Sequence, residues 1–121
     1  MTLPNLCGGF GEAPDTGEVR VTSETGGQKG TKLARFDLIP PQIWELAEHY
    51  GKGAQKYDDD NWKRGYDWKL SYAAAQRHLH AFWAGEDIDP ETGTKHVIAA
   101  AWHCMALAWF MDNMRQYDSR G

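Results

Sequence analysis

From residue 39 onward, apolar positions recur at the spacing of an amphipathic helix; before residue 32 they show no period. In "IPPQIWELAEHY" (39–50), Ile43, Leu46, Ala47 and Tyr50 follow the i, i+3, i+4, i+7 rule and predict a first helix with one apolar face. Pro41 suits its first turn, and Gly51 and Gly53 offer a stop, with "GAQKY" as a further short helical turn. "DDDNWKRGYD" (58–67) reads as a loop by composition. A second helix is expected from about Leu70 to Ala84, capped by Asp67 or Ser71, with Tyr72, Ala75, Leu79, Phe82 and Trp83 as its apolar side. Gly85 ends it, an acidic connector follows, and a third helix runs from about Thr94 to Gln116. There Ala99, Ala100 and Ala101 let a neighbouring backbone come close. Three helices with short connections predict an all-α small helical bundle over residues 32–121. Residues 1–31, rich in Gly, Thr, Glu and Pro, read as a flexible or extended N-terminal arm in which "EVRVTSE" is a strand-forming stretch.

Composition narrows the partners. One domain fits 121 residues. A net charge of −4 and a pI near 5.7 exclude the basic footprint of a protein that binds a nucleic acid polymer. An anionic small molecule stays compatible if cations or local Lys and Arg attract it. Cys7 and Cys104 form neither a disulfide framework nor a CxxC pair, which points to a reducing, cytoplasmic compartment. No leader pattern is visible at the N-terminus. No apolar run approaches the roughly 20 residues that span a bilayer. Six tryptophans, with Trp102 and Trp109 beside Phe110 on the third helix, exceed what three helices readily cover and suggest a subunit interface.

Two groups of carboxylates stand out. Glu45 and Glu48 lie three apart on the first helix, one turn from each other, and could share a hard cation such as Mg²⁺. As an isolated pair they are equally what any solvated helix surface carries. "GEDIDPETGTKH" (85–96) places Glu86, Asp87, Asp89 and Glu91 within six positions, and Glu86 and Asp89 have ExxD spacing. Such crowding is unfavourable without a cation or hydrogen-bond donors. Alternatively Asp89 caps the following segment, with Pro90 in its first position. The EF-hand spacing is absent.

Histidines, cations and aromatics complete the candidates. His78 and His80 point to different sides of the second helix, while His96 and His103 share a face of the third. There is no HExxH and no His-Asp dipeptide, so an HD-type phosphohydrolase is disfavoured. His80 and His103 read as histidines satisfied within a packed bundle; His78 and His96 are more open to chemistry. Lys29, Lys32, Arg35, Lys52, Lys56 and Arg77 form a pool of cations for phosphate, although the P-loop spacing is missing. In "NWKRGYDW", Trp62 could stack on a base or fill the core, and Asn61 can donate to and accept from a base edge.

The stretches RFDLIPP, GAxKYxxxNWxxG, RHxxAFWxGEDIDPETG and AWHC, spread over residues 26–112, closely resemble the phage MazG-like dATP/dGTP diphosphohydrolases. That resemblance implies an all-α nucleoside triphosphate pyrophosphohydrolase, a homodimer or homotetramer, acting in phage nucleotide metabolism in the host cytoplasm. It implies Mg²⁺, with Mn²⁺ as an alternative, held by an ExxE and an ExxD pair, and water attack on the α-phosphorus of a purine deoxynucleoside triphosphate. Carried onto this chain, Glu45 and Glu48 are the first pair and the catalytic residues, with Glu48 as general base, and Glu86 and Asp89 are the second. Lys29, Lys32, Arg35, Lys56, Asn61, Trp62, Arg77, His78 and His96 are then the substrate-binding candidates. The chain departs from the family pattern in one respect: 37 residues separate Glu48 from Glu86, and the second pair flanks a turn. Asp37, Asp87 or Glu91 are therefore alternative ligands, and His78 or His96 could orient a carboxylate. A non-catalytic nucleotide-binding module of the same fold is the rival reading.

Overall fold

The structure, a computed structural model, describes residues 19–121. A two-stranded antiparallel hairpin, β1 (Val19–Thr22) and β2 (Gln28–Thr31), pairs Val19 with Thr31 and Thr22 with Gln28. Helix α1 spans Ile43–Lys56, α2 Trp68–Trp83 and α3 His96–Asn113. Short 3-10 turns lie at Phe36–Leu38, Asn61–Arg64 and Arg115–Tyr117. This is the expected small helical domain. The strand in "EVRVTSE" finds its partner in "QKGT", which carries the candidate cation Lys29. The rest of the expected arm, with Cys7, lies outside the described residues.

Helix α1 runs through Gly51 and Gly53 rather than stopping there. Glycine costs a helix interior only about 1 kcal/mol, and Lys52, between the two, is tied down by tertiary hydrogen bonds (below). Trp68 starts α2 two residues earlier than expected. Asp67 stands at the cap position without a side-chain cap bond, and Ser71 lies inside the helix.

The core forms where α2 meets α3. Ser71, Ala74 and Ala75 of α2 are buried against a third helix that buries Ala99, Ala100, Ala106 and Phe110. This turns α2 away from the expected orientation: of the expected apolar side only Ala75 is buried. Tyr72, Leu79, Phe82 and Trp83 face outward, with Trp83 86% exposed. The small-residue stripe 71–74–75 allows close helix approach, and the bulkier side chains beside it and at the end of α2 stay outside the contact. Phe110 is fully buried, and Trp102 and Trp109 are half-buried in an aromatic cluster. Uncovered apolar side chains lie on α2, at Ile43 and Trp44 of α1, at Leu33, Phe36 and Leu38 before it and at Met105 and Met111 of α3, rather than on the α3 tryptophans.

The chain after α3 folds back onto the start of α2. The Trp68 indole N–H donates to the Met114 carbonyl (3.1 Å), and the Lys69 N–H donates to Ser119 Oγ (3.1 Å). Gly65 adopts φ +93°, and its missing side chain leaves room for the Tyr117 ring. No helix among the described residues is long and apolar enough to cross a membrane.

Candidate active site

The acidic connector is an ordered loop. Gly85, at φ +108°, reverses the chain after α2. Ile88 and Lys95 pair as an antiparallel bridge, and the Asp89 N–H donates to the Thr94 carbonyl (2.9 Å). Asp89 is buried. Its Oδ1 accepts the Glu91 N–H (3.0 Å), and its Oδ2 accepts the Thr92 hydroxyl (3.3 Å). This is the capping chemistry expected of Asp89, applied to a turn.

Helix α1 lays one polar stripe on that loop. Glu45, His49 and Lys52, at i, i+4 and i+7, all reach it. Lys95 Nζ donates to Glu45 Oε2 (3.1 Å), and His49 Nδ1 lies 3.1 Å from Thr94 Oγ1. Lys52 Nζ donates to Thr94 Oγ1 (2.7 Å) and to the Thr92 carbonyl (3.0 Å). Glu48 belongs to the same face by spacing and is exposed.

A histidine chain crosses from the loop into the helix pair. His96 is buried at the start of α3. Its Nε2 lies 2.7 Å from Glu86 Oε1, and its Nδ1 lies 2.9 Å from His78 Nδ1. His78, Asp89 and His96 each offer a ligand atom within 4.8 Å of the others, forming the one such group among the described residues. Glu45, Glu48 and Glu86 do not belong to it.

Next to this group opens a cavity of about 770 Å³, within the range of small-molecule sites. His78, Asp89, Glu91 and Thr92 line it, as do Asp58, Asp59 and Asp60. Tyr50, Trp62, Tyr66 and Trp102 supply an aromatic wall, and Lys56 and Asn61 also line it. Trp62 is the hub of a ring cluster, 6.2 Å from Tyr50, 5.8 Å from Trp102, 5.2 Å from Trp109 and 6.0 Å from Phe110 between centroids. It thus packs in a core and lines the cavity at once.

Beneath the cavity floor, Ser71 Oγ sits 2.7 Å from Tyr66 Oη and 2.9 Å from His103 Nδ1. Burial, then the neighbouring His78, His49 and Arg77, push His103 down to about 4, so it is neutral at physiological pH. Burial also lowers His49, helped by Lys52, and lowers His78 against the opposing pull of Asp89. Tyr50 and Tyr66 are raised by burial.

Among the sequence candidates, the cavity gathers Asp89, Lys56, Asn61, Trp62 and His78, and His96 and Glu86 stand directly behind His78. Lys29 and Lys32 lie at β2 and just after it, Arg35 is paired with Asp37 (2.7 and 2.8 Å), and Arg77 is exposed on α2; none of these lines the cavity. His80 is exposed. His49 and Ser71 were missed. The first is signalled by its i+4 spacing from Glu45. The second carries no signal, because a serine inside a helix looks like a cap.

The profile of the family described as dATP/dGTP diphosphohydrolase, N-terminal, matches residues 23–120. A dATP/dGTP diphosphohydrolase of Salmonella phage PMBT28 is 33% identical over 88 residues, which cover 72% of this chain. The match spans 30% of that relative's length. No solved structure matches.

Proposed function

Because the chain belongs to the dATP/dGTP diphosphohydrolase family through that family's N-terminal part, we propose that it hydrolyses purine deoxynucleoside triphosphates. dGTP and dATP are the substrates, a nucleoside monophosphate and pyrophosphate the products, Mg²⁺ or Mn²⁺ the cofactor, and phage nucleotide metabolism in the host cytoplasm the setting. The observation that carries this reading is one cavity lined both by aromatic rings and by a buried carboxylate with histidines. A purine and a metal-bound triphosphate need those two environments.

A divalent cation, when bound, neutralises phosphate oxygens and lowers the pKa of a coordinated water. Glu45, Glu48, Glu86 and Asp89 are the proposed oxygen donors for Mg²⁺. Asp89 fits as it stands, buried at the cavity wall with both oxygens held by donors. Glu45 has first to leave Lys95. Half-exposed ion pairs are worth at most about 1 kcal/mol, so arrival of a triphosphate suffices to exchange them, and Lys95 is then released toward phosphate. Glu48, exposed on the same helix face, is the proposed general base. Lys56 in the cavity lining balances charge on the departing pyrophosphate. Trp62 offers a ring for the purine, and Asn61 a donor and an acceptor for its edge.

The exposed apolar faces of α2 and α1 support a homodimer or homotetramer, which light scattering on the purified chain measures. The activity test is incubation with dGTP or dATP and Mg²⁺, with products separated. Monophosphate and pyrophosphate in equal amounts are expected. Release of orthophosphate, or nucleotide binding without turnover, rejects the reading; the second outcome would identify a nucleotide-binding module.

A further inference from the structure

Among the described residues, the one set of side chains held at metal-ligand distance is not the oxygen-only set that Mg²⁺ prefers. It is two imidazoles and one carboxylate: His78, His96 and Asp89. Three features of its surroundings suit a transition cation. The 2.9 Å separation of His78 Nδ1 and His96 Nδ1 is close to the edge of an octahedron around a cation with ~2.0–2.1 Å ligand bonds. Glu86 accepts a hydrogen bond from His96 Nε2 at 2.7 Å, which fixes the tautomer with a bare Nδ1 facing His78. Ligating histidines are oriented by an outer carboxylate in this way. Finally, His78 and Asp89 both line the cavity, so remaining coordination positions open toward water or a ligand oxygen, while His96 is buried behind them.

The geometry points to a resident site for a borderline first-row cation of the Mn²⁺, Co²⁺ or Zn²⁺ class, with His78, His96 and Asp89 as ligands and Glu86 as the residue that positions His96. Imidazole favours such ions, and for mixed nitrogen and oxygen sites affinity rises from Mn²⁺ through Co²⁺, with Zn²⁺ above Mn²⁺. In the metal-free protein the same groups form a hydrogen-bonded chain from Glu86 through His96 to His78, which explains how they stay together without an ion. Glu86, in the ExxD spacing with Asp89, is thus a positioning residue rather than a ligand of this site. The inference does not depend on the hydrolase reading.

Cobalt titration into chelator-stripped protein, without nucleotide, tests it by visible absorption and calorimetry. One Co²⁺ per chain is expected, displaced by Zn²⁺ and not by millimolar Mg²⁺. His78→Gln and Asp89→Asn should abolish the saturable band. Glu86→Gln should weaken binding about 10–100-fold. Circular dichroism verifies that each variant is folded. His78 is only half-buried, so its variant keeps the test open if others unfold. Absence of saturable Co²⁺ binding, or binding unchanged in folded His78→Gln, overturns the site. Tight Co²⁺ binding without triphosphate turnover upholds the site and removes the hydrolase reading. Turnover without Co²⁺ binding does the reverse.

Discussion

Lys95 and Glu45, fifty residues apart in sequence, form a 3.1 Å ion pair that ties α1 to the acidic connector. The pair holds the proposed catalytic helix against the loop that carries Asp89, and it leaves Glu45 engaged until a stronger anion arrives for Lys95. Both partners keep a third or more of their side-chain surface in water, so the pair is a weak restraint.

Glu45→Gln and Glu48→Gln should therefore fold like the parent chain and lose activity. Loss of a general base slows turnover about 10²–10⁴-fold. For Glu48→Gln the fall is expected in kcat, with the unfolding temperature unchanged because Glu48 is exposed. Steady-state kinetics with dGTP, beside a thermal melt of each variant, checks this. Parent-level kcat in Glu48→Gln would remove the residue from the mechanism.

Ser71 is a buried junction shared by Tyr66 and His103. Ser71→Ala leaves both partners without it. Leaving a buried polar group unsatisfied costs about 1–3 kcal/mol, which should appear as a lower denaturation midpoint in urea with an unchanged slope.

Gly65→Ala attacks the fold at another point. A Cβ there would stand 2.6 Å from the Tyr117 ring, at a backbone φ of +93° that side chains rarely tolerate. Overpacking and strain together are worth about 2 kcal/mol or more, and in a domain this small that lowers Tm by roughly 10 °C. Gly26→Ala shares the positive φ but meets open space, and serves as the milder control.

Stability should fall with acid in a defined window. His103 is held at about 4 in the folded chain, below its ordinary 6.5, and His49 is lowered as well. Above pH 6.5 both states are neutral at these positions. As pH drops from about 6.5 toward 4, the unfolded chain takes up protons that the folded chain refuses, so unfolding becomes easier. Thermal melts between pH 7 and 4 should show a falling Tm, and the fall should be shallower in His103→Asn. A Tm independent of pH over that range would contradict the burial of these imidazoles.

The three helices were legible because apolar residues mark them and Gly85 closes α2, whereas Gly51 and Gly53 do not stop α1. The orientation of α2 was not, because hydrophobicity alone favours burying Leu79, Phe82 and Trp83, whereas close packing with α3 selects the small residues Ser71, Ala74 and Ala75. Glu45, Glu48, Glu86 and Asp89 were picked by sequence spacing, which records neither Lys95 on Glu45 nor His96 on Glu86. The approach of His78 to His96 joins positions 18 residues apart across a loop whose shape depends on Gly85, Asp89 and Gly93. No local pattern encodes that meeting. The Lys29 and Lys32 stretch, read for phosphate, forms and follows a hairpin strand, away from the cavity lining.

In the proposed reaction, water attacks the α-phosphorus of a purine deoxynucleoside triphosphate. Hydrolysis of dGTP in water enriched in heavy oxygen, followed by mass spectrometry of both products, tests it most directly. One heavy oxygen in the monophosphate and none in pyrophosphate is expected; heavy oxygen in the pyrophosphate, or in released orthophosphate, would rule out attack at the α-phosphorus.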